Sequence, residues 1–330
     1  MASVVKPIIL VTGALGSGKT SGLGALIAHF GYSSPRVLIN DVGQVNDEIR
    51  FESSAGTYAA ETIGGGCACC ERSDEFLGRL LALLDDTSSA FDVIIFEASG
   101  VADPAAVVRL ISEHPKLSHH IEASNHVHYV DATSTEGLLA CDVALAETCV
   151  IAKSDLVSPG EIDELSAEMR SWNPHMKLLV QDVVDEHVRV LPAPPAAPDP
   201  VPAGSSSAPI ALAEASRSER ADVHVADFSL PTGLSWLALA TWATALLARH
   251  GDRVLRLKAS VPSGQQRVVL NGVRHTLFPP RSLENTEPRS TRGTLTVIST
   301  TQDVGLLLDS LQVFVDPAIE ATHPVLVPAE

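Results

Sequence analysis

Residues 7–30 read PIILVTGALGSGKTSGLGALIAHF. Pro7 to Thr12 is a short apolar run in Ile, Leu and Val, the pattern of a buried strand. Gly13 to Thr20, GALGSGKT, fits G-x-x-x-x-G-K-[ST]. Leu23, Ala25, Leu26 and Ile27 then mark a helix. Strand, glycine-rich loop and helix in that order make the motif a structural expectation: backbone N–H groups from Gly13, Gly16, Ser17 and Gly18 converge on an anion, and the helix N-terminus adds its positive end. Lys19 is expected to reach the β- and γ-phosphates of a nucleoside triphosphate, and the Thr20 hydroxyl to ligate Mg²⁺. A glycine-rich turn that holds nothing is the bland alternative, and the intact context argues against it.

Outward from this stretch, Arg36 to Asn40 (RVLIN) is a second strand. A polar loop is expected from Asn40-Asp41-Val42-Gly43 through Asn46, Asp47 and Glu48, where P-loop proteins often keep a nucleotide-sensing switch. By position alone, its acids read as a solvated loop. FDVIIFEASG (91–100) holds a buried strand, Val93 to Phe96, with Glu97 at its carboxyl end. Ligands of open parallel sheets gather at strand carboxyl ends, so Glu97 is expected to face the phosphate–Mg²⁺ site rather than cap the next helix. Gly100 has no side chain, so its N–H is able to approach the γ-phosphate. Further strands are expected at 126–131, 147–152 and 176–180, with helices at 76–84, 105–112 and 160–171. The alternation predicts an α/β fold, a doubly wound and mostly parallel sheet.

LPAPPAAPDPVPAGSSS (191–207) lacks the side chains for a core and reads as a linker. The expected organisation is a P-loop domain over 1–190, a Pro/Ala/Ser-rich linker over 191–220, and a smaller α+β domain over 221–330. In the latter, 223–228, 253–260, 266–270 and 294–299 read as strands, and 234–248 and 304–311 as helices. The tail after Asp316 is expected to be loose.

The formal net charge of −17 argues against nucleic acid or an anionic membrane surface as partner. No apolar run approaches the ~20 residues of a membrane helix, and the first strand starts too early to leave room for a signal peptide. Five cysteines, three of them within four positions, do not resemble a secreted disulfide framework. A cytoplasmic location follows as the expectation.

Two further motifs bear on function. Asp155, in AKSD (152–155), sits where a carboxylate is able to accept from guanine N1–H and N2–H, with the Lys153 stem along the base. This favours GTP over ATP. Cys67-Ala68-Cys69-Cys70 gathers three thiols, ligands suited to a soft or borderline ion such as Zn²⁺. A fourth ligand would come from water, a carboxylate such as Asp41, a second protomer or a client protein. Chance clustering of small core residues is the alternative. Cys141 and Cys149 read as small buried residues. His126 and His128 would face one side of a strand and, like His119, His120, His224 and His275, read as ordinary histidines rather than ligands.

Taken together, GALGSGKT, CACC, EASG, KSD and the small trailing domain resemble the CobW family of metal-handling P-loop GTPases, whose relatives mature hydrogenases and urease. The similarity is good over 7 to about 182 and looser in RVLRLKAS and QQRVVLNGVRH. It implies GTP hydrolysis coupled to delivery of a transition metal, Zn²⁺ or Co²⁺, to a client metalloprotein. By the same resemblance, Gly18, Lys19 and Thr20 hold phosphate and Mg²⁺. Cys67, Cys69 and Cys70 hold the cargo, Glu97 and Gly100 sense the γ-phosphate, and Asp155 reads guanine. Asn40 and Gly43 match the family's N-E-x-G switch, with Asp41 in place of its Glu; Asp41 joins Lys19 and Glu97 as the expected catalytic set. Ala152 stands where GTPases usually carry Asn. A homodimer is compatible with this scheme. The alternatives are an activator dedicated to one metalloenzyme, of nitrile hydratase or cobalt–cobalamin type, and an ATP-dependent small-molecule kinase with structural cysteines.

Overall fold

The computed structural model describes residues 5–41, 48–53, 56–64, 66–68, 71–86, 90–100, 102–134, 138–182, 188–192, 223–230, 233–284, 293–301, 310–311 and 327–328. The chain divides into two compact units, Met1–Leu138 with Leu145–Pro192, and Leu139–Ala144 with Ala193–Glu330.

The first unit begins β1 (Lys6–Gly13), α1 (Lys19–Phe30), β2 (Pro35–Asp41), β3 (Glu48–Ser53), β4 (Gly56–Gly64), α2 (Ser73–Asp85), β5 (Val93–Glu97) and α3 (Pro104–Glu113). It continues with α4 (Leu117–His120), β6 (Ile121–Asp131) and, after α5 (Ala140–Leu145), whose residues up to Ala144 fall in the second unit, β7 (Thr148–Ala152), a 3-10 turn (Ser154–Leu156), α6 (Pro159–Trp172), β8 (Lys177–Gln181) and β9 (Val188–Leu191). The strands form one nine-stranded sheet in the order β3-β4-β2-β5-β1-β6-β7-β8-β9. Its inner pairs are parallel; only the outer pairs, β3 with β4 and β8 with β9, run antiparallel.

The parallel strands read as continuous apolar runs because both their faces are covered. β5, Val93–Glu97, is buried at every position. On one face, Ile9, Val11, Leu23, Leu26, Ile27, Val37 and Ile95 form a single core under α1. Each of these side chains contributes about 1.5–3 kcal/mol relative to exposure. Register fixes the site: Ile39 pairs with Glu97, Asn40 with Ile63, and Thr12 with His128. The carboxyl ends of β1, β5, β2 and β4 therefore share one rim of the sheet.

An antiparallel hairpin, β3 and β4, begins at Glu48, the last residue of the expected polar loop, and fills a stretch for which the sequence reading offered no element. Its inward positions are legible in hindsight: Tyr58, Ala60 and Thr62 alternate and are buried. Intervening Glu, Thr and Gly residues dilute that alternation. Residues 42–47, with Gly43, Asn46 and Asp47, lie outside the described residues, as does the Asp41 side chain.

The second unit holds β10 (His224–Leu230), α7 (Trp236–His250), β11 (Val254–Ser263), β12 (Gln266–Val273), β13 (Thr276–Leu277), β14 (Arg281–Glu284), β15 (Gly293–Ser299) and β16 (Val327–Pro328). They make an antiparallel sheet, β13-β12-β11-β15-β10-β16, with β14 on β12. Leu239, Trp242 and Leu247 of α7 bury against Leu257, Leu270 and Val297. The tail expected to be loose is held at one point, because Val327–Pro328 pairs with Ser229 and Phe228. Most of the helix expected at 304–311 lies outside the described residues, as do 193–222.

Candidate functional site

The loop after β1 wraps the start of α1. Gly13, Gly16 and Gly18 adopt φ of 141°, 78° and 90°. The Lys19 ammonium, buried in the fold, donates to the carbonyls of Gly13 and Ala14, both at 2.8 Å. Burial lowers its pKa, opposed in part by Glu97. Thr20 Oγ1 donates to Glu97 Oε1 at 2.6 Å, so the two residues expected to flank Mg²⁺ are in contact. A hydroxyl and a carboxylate oxygen side by side are the hard donors this ion takes.

Two buried hydroxyls at this rim, Ser17 Oγ and Ser99 Oγ, have no hydrogen-bond partner among the described residues. Buried polar atoms are rarely left so, and a phosphate-bearing ligand with its water fits them. Gly100 closes the cradle. A Cβ there would lie 2.9 Å from the Leu15 nitrogen and 3.4 Å from the Gly13 carbonyl oxygen. The end of β5 therefore packs directly on the phosphate loop, and only glycine fits that approach.

Beneath the loop, Thr12 Oγ1 lies 2.7 Å from His126 Nε2 and 2.9 Å from His128 Nδ1. All three are buried. The two imidazoles do face one side of β6, as expected, and serve as hydrogen-bond partners of Thr12. Burial, with His126 and Lys19 nearby, pushes His128 down to about 3, so it stays neutral at physiological pH.

The cysteine stretch follows β4, three strand positions from β1 on the same rim, about 14 Å at the usual strand spacing. Cys67 is buried. Cys69 and Cys70 lie outside the described residues, and no cluster of three or more His, Cys, Asp or Glu that could hold a metal occurs among the described ones. What the structure adds is Asn40. Its Nδ2 donates to the carbonyls of Ile63 at 3.0 Å and Gly66 at 2.8 Å, and its Oδ1 accepts from the Ala68 amide at 2.9 Å. One buried side chain at the end of β2 thus holds the loop on both sides of Cys67. The Arg72 amide closes the turn by donating to the Cys67 carbonyl at 3.0 Å. Sequence reasoning had Asn40 only as a switch match; its partners lie 23 to 28 residues away and leave no local signal.

On the other side of β1, Lys153 takes φ 59°, ψ 34° at the start of the 3-10 turn that carries Asp155. Its ammonium lies 2.5 Å from Asp131 Oδ2. Ser154 Oγ donates to Asp182 Oδ1. Asp155 is exposed. Ala152 is buried, its Cβ 3.3 Å from where a Gly18 side chain would begin. Asp131 and Asp182 were not foreseen.

A nine-stranded, mostly parallel sheet with a phosphate loop at its centre defines a P-loop nucleotide-binding protein. Residues 7–180 match the model of the CobW/HypB/UreG nucleotide-binding domain, and the chain belongs to that family. Among curated proteins it is similar to the zinc chaperone YjiA of Escherichia coli, 28% identical over 176 residues, or 50% of this chain and 54% of that one. It is also similar to the zinc-regulated GTPase metalloprotein activator 1 of Schizosaccharomyces pombe, 26% identical over 164 residues, or 46% of this chain and 40% of that one. These matches span about half the length of the curated relatives. The crystal structure of Zn(II)-bound YjiA GTPase superposes with a TM-score of 0.61 at 16% identity, covering 94% of this chain and 99% of that chain; the two-unit fold is shared.

No helix among the described residues is long and apolar enough to cross a membrane.

Proposed function

We propose that this chain is a GTP-hydrolysing metallochaperone: it binds Zn²⁺ through Cys67, Cys69 and Cys70 and passes it to a client metalloprotein according to the nucleotide it holds. The family, and relatives named as a zinc chaperone and a zinc-regulated metalloprotein activator, support the reading. The single observation that carries it is the Asn40 clamp. β2 lies between β5, which ends in Glu97, and β4, which leads to the cysteine loop. A shift at the Glu97 end reaches Asn40 through one pair of backbone neighbours.

In this scheme the backbone amides of Gly16, Ser17 and Gly18 bind the phosphates. Lys19 leaves the Gly13 and Ala14 carbonyls to meet the β- and γ-phosphate oxygens, trading neutral hydrogen bonds for charge-assisted ones. Thr20 and Glu97 would hold Mg²⁺, which supplies positive charge to the phosphate oxygens when bound. Gly100 presents its N–H to the γ-phosphate. Asp41, next to the clamp, orients the attacking water, and Asp155 with Lys153 holds guanine. Loss of the γ-phosphate frees Gly100 and the end of β5, the clamp relaxes, and the thiols release zinc. Such coupling exists only as a difference in metal affinity between nucleotide states. The compartment is cytoplasmic, and the partners are the nucleotide, zinc and a protein client, with neither nucleic acid nor membrane involved.

The test is zinc affinity by chelator competition in the presence of GDP and of a non-hydrolysable GTP analogue. A tighter complex with the analogue, abolished by the triple Cys→Ser variant, is expected. Equal affinities would remove the chaperone cycle and leave a GTPase.

A further inference from the structure

The turn that carries Asp155 is held in an uncommon shape. Lys153 is one of two non-glycine residues with positive φ among those described, and a long side chain adopts that region only when its surroundings over-determine it. The side chain before it contributes no polar link. Ala152 ends in a methyl group set against Gly18, and its carbonyl accepts from the Ala132 amide at 3.0 Å.

Two carboxylates from neighbouring strand ends supply what Ala152 does not. Asp131 ends β6 and is the register partner of Ala152. Its Oδ2 pairs with Lys153 Nζ, and its Oδ1 accepts from the Thr133 amide at 2.9 Å and hydroxyl at 2.7 Å. Its side chain is 17% exposed, so the pair is only partly screened. Asp182 follows β8 and accepts from Ser154 Oγ, a buried hydroxyl. One carboxylate grips the residue before the turn's axis and the other the residue at its first position. Asp155, next in the chain, is left at the surface of a backbone fixed from both sides.

We propose that Asp131 and Asp182 are positioning residues that lock Lys153–Asp155 in the shape that distinguishes guanine from adenine. The inference rests on reading the chain as a guanine-nucleotide binder. Neither carboxylate needs to touch the base. Asp131 sets the direction of the Lys153 stem, and Asp182 sets the pitch of the turn and hence the aim of Asp155. A carboxylate that reads two N–H groups discriminates only while its direction is held, because a misaligned acceptor loses the bonds to guanine and leaves contacts to adenine unaltered.

The experiment compares GDP and ADP affinities by calorimetry on the full chain for the wild type, Asp131→Asn, Asp182→Asn and Lys153→Met. Asn at 131 still accepts from Thr133, so the fold is expected to survive. Lys153→Met keeps an unbranched stem along the base and removes only the ammonium that Asp131 holds, which keeps the test usable if an Asp variant misfolds. Each variant is expected to lose about tenfold in GDP affinity, the worth of one charge-assisted hydrogen bond, with ADP affinity unchanged, so that the ratio collapses. A purely structural role would weaken both nucleotides together or neither. A guanine preference that persists unaltered in folded variants overturns the inference and leaves the nucleotide reading standing. A wild type with no guanine preference overturns both.

Discussion

The Asn40 side chain accepts a hydrogen bond from the Ala68 amide at 2.9 Å, and this bond joins the strand beside the phosphate site to the cysteine loop. Asn40→Ala leaves the Ala68 amide and the Gly66 carbonyl without their partner in a buried setting, at about 1–3 kcal/mol for each group left unsatisfied. More telling is the effect on coupling. Zinc affinity in the variant should no longer depend on whether GDP or a GTP analogue is bound, as read by chelator competition in both states. A nucleotide dependence equal to that of the wild type would remove the clamp from the mechanism.

Lys19→Met should abolish nucleotide binding, with a loss of at least about 100-fold, while leaving the fold intact. The ammonium is the cation of the phosphate loop, and its present partners are two carbonyls that water is able to satisfy. Fluorescent GDP titration measures the first effect and circular dichroism the second.

Gly100→Ala separates binding from turnover. The added methyl would meet the Leu15 nitrogen at 2.9 Å, which forces the end of β5 away from the phosphate loop. GTP hydrolysis should fall by about tenfold or more, since a sub-ångström displacement at a reacting centre is costly, whereas GDP affinity should change far less. Single-turnover phosphate release and GDP titration give the two numbers.

His128 makes stability pH-dependent in a defined direction. An unfolded histidine titrates near 6.5, and the folded His128 is pushed down to about 3 by burial, His126 and Lys19. Cys149 is its register neighbour on β7. Between those two pH values the unfolded chain takes up a proton that the native chain refuses. Stability therefore falls as pH drops below about 6.5, by up to about 1.4 kcal/mol per unit, and this contribution levels off below about 3. Urea titrations at pH 7, 6, 5 and 4 should show a shallower decline for His128→Gln than for the wild type. An identical decline would contradict the assignment.

How much of this was readable beforehand depends on how local each signal is. The phosphate loop, its strand and its helix are written in consecutive residues, and β5 with Glu97 is announced by a pure apolar run ending in one acid. β3 and β4 escaped notice because Glu, Thr and Gly residues interrupt the alternation that Tyr58 and Ala60 mark. The clamp at Asn40, the Thr12 bridge to His126 and His128, and the grips of Asp131 and Asp182 depend on atoms brought together from strands far apart in sequence. No periodicity encodes such contacts; only strand order and register create them.

Gly66 has a practical consequence for engineering. Gly66 takes φ 149°, a backbone region that side chains disfavour, and a Cβ there would come within 3.1 Å of Glu71 Cβ and 3.2 Å of Arg72 Cγ, so even a methyl group strains the start of the turn. Under the zinc binding proposed above, attempts to retune cargo preference by varying the neighbourhood of the thiols therefore have little freedom on the upstream side. A library that spares Gly66 and Asn40 and randomises outward from Glu71 would sample altered selectivity without first breaking the scaffold that presents it.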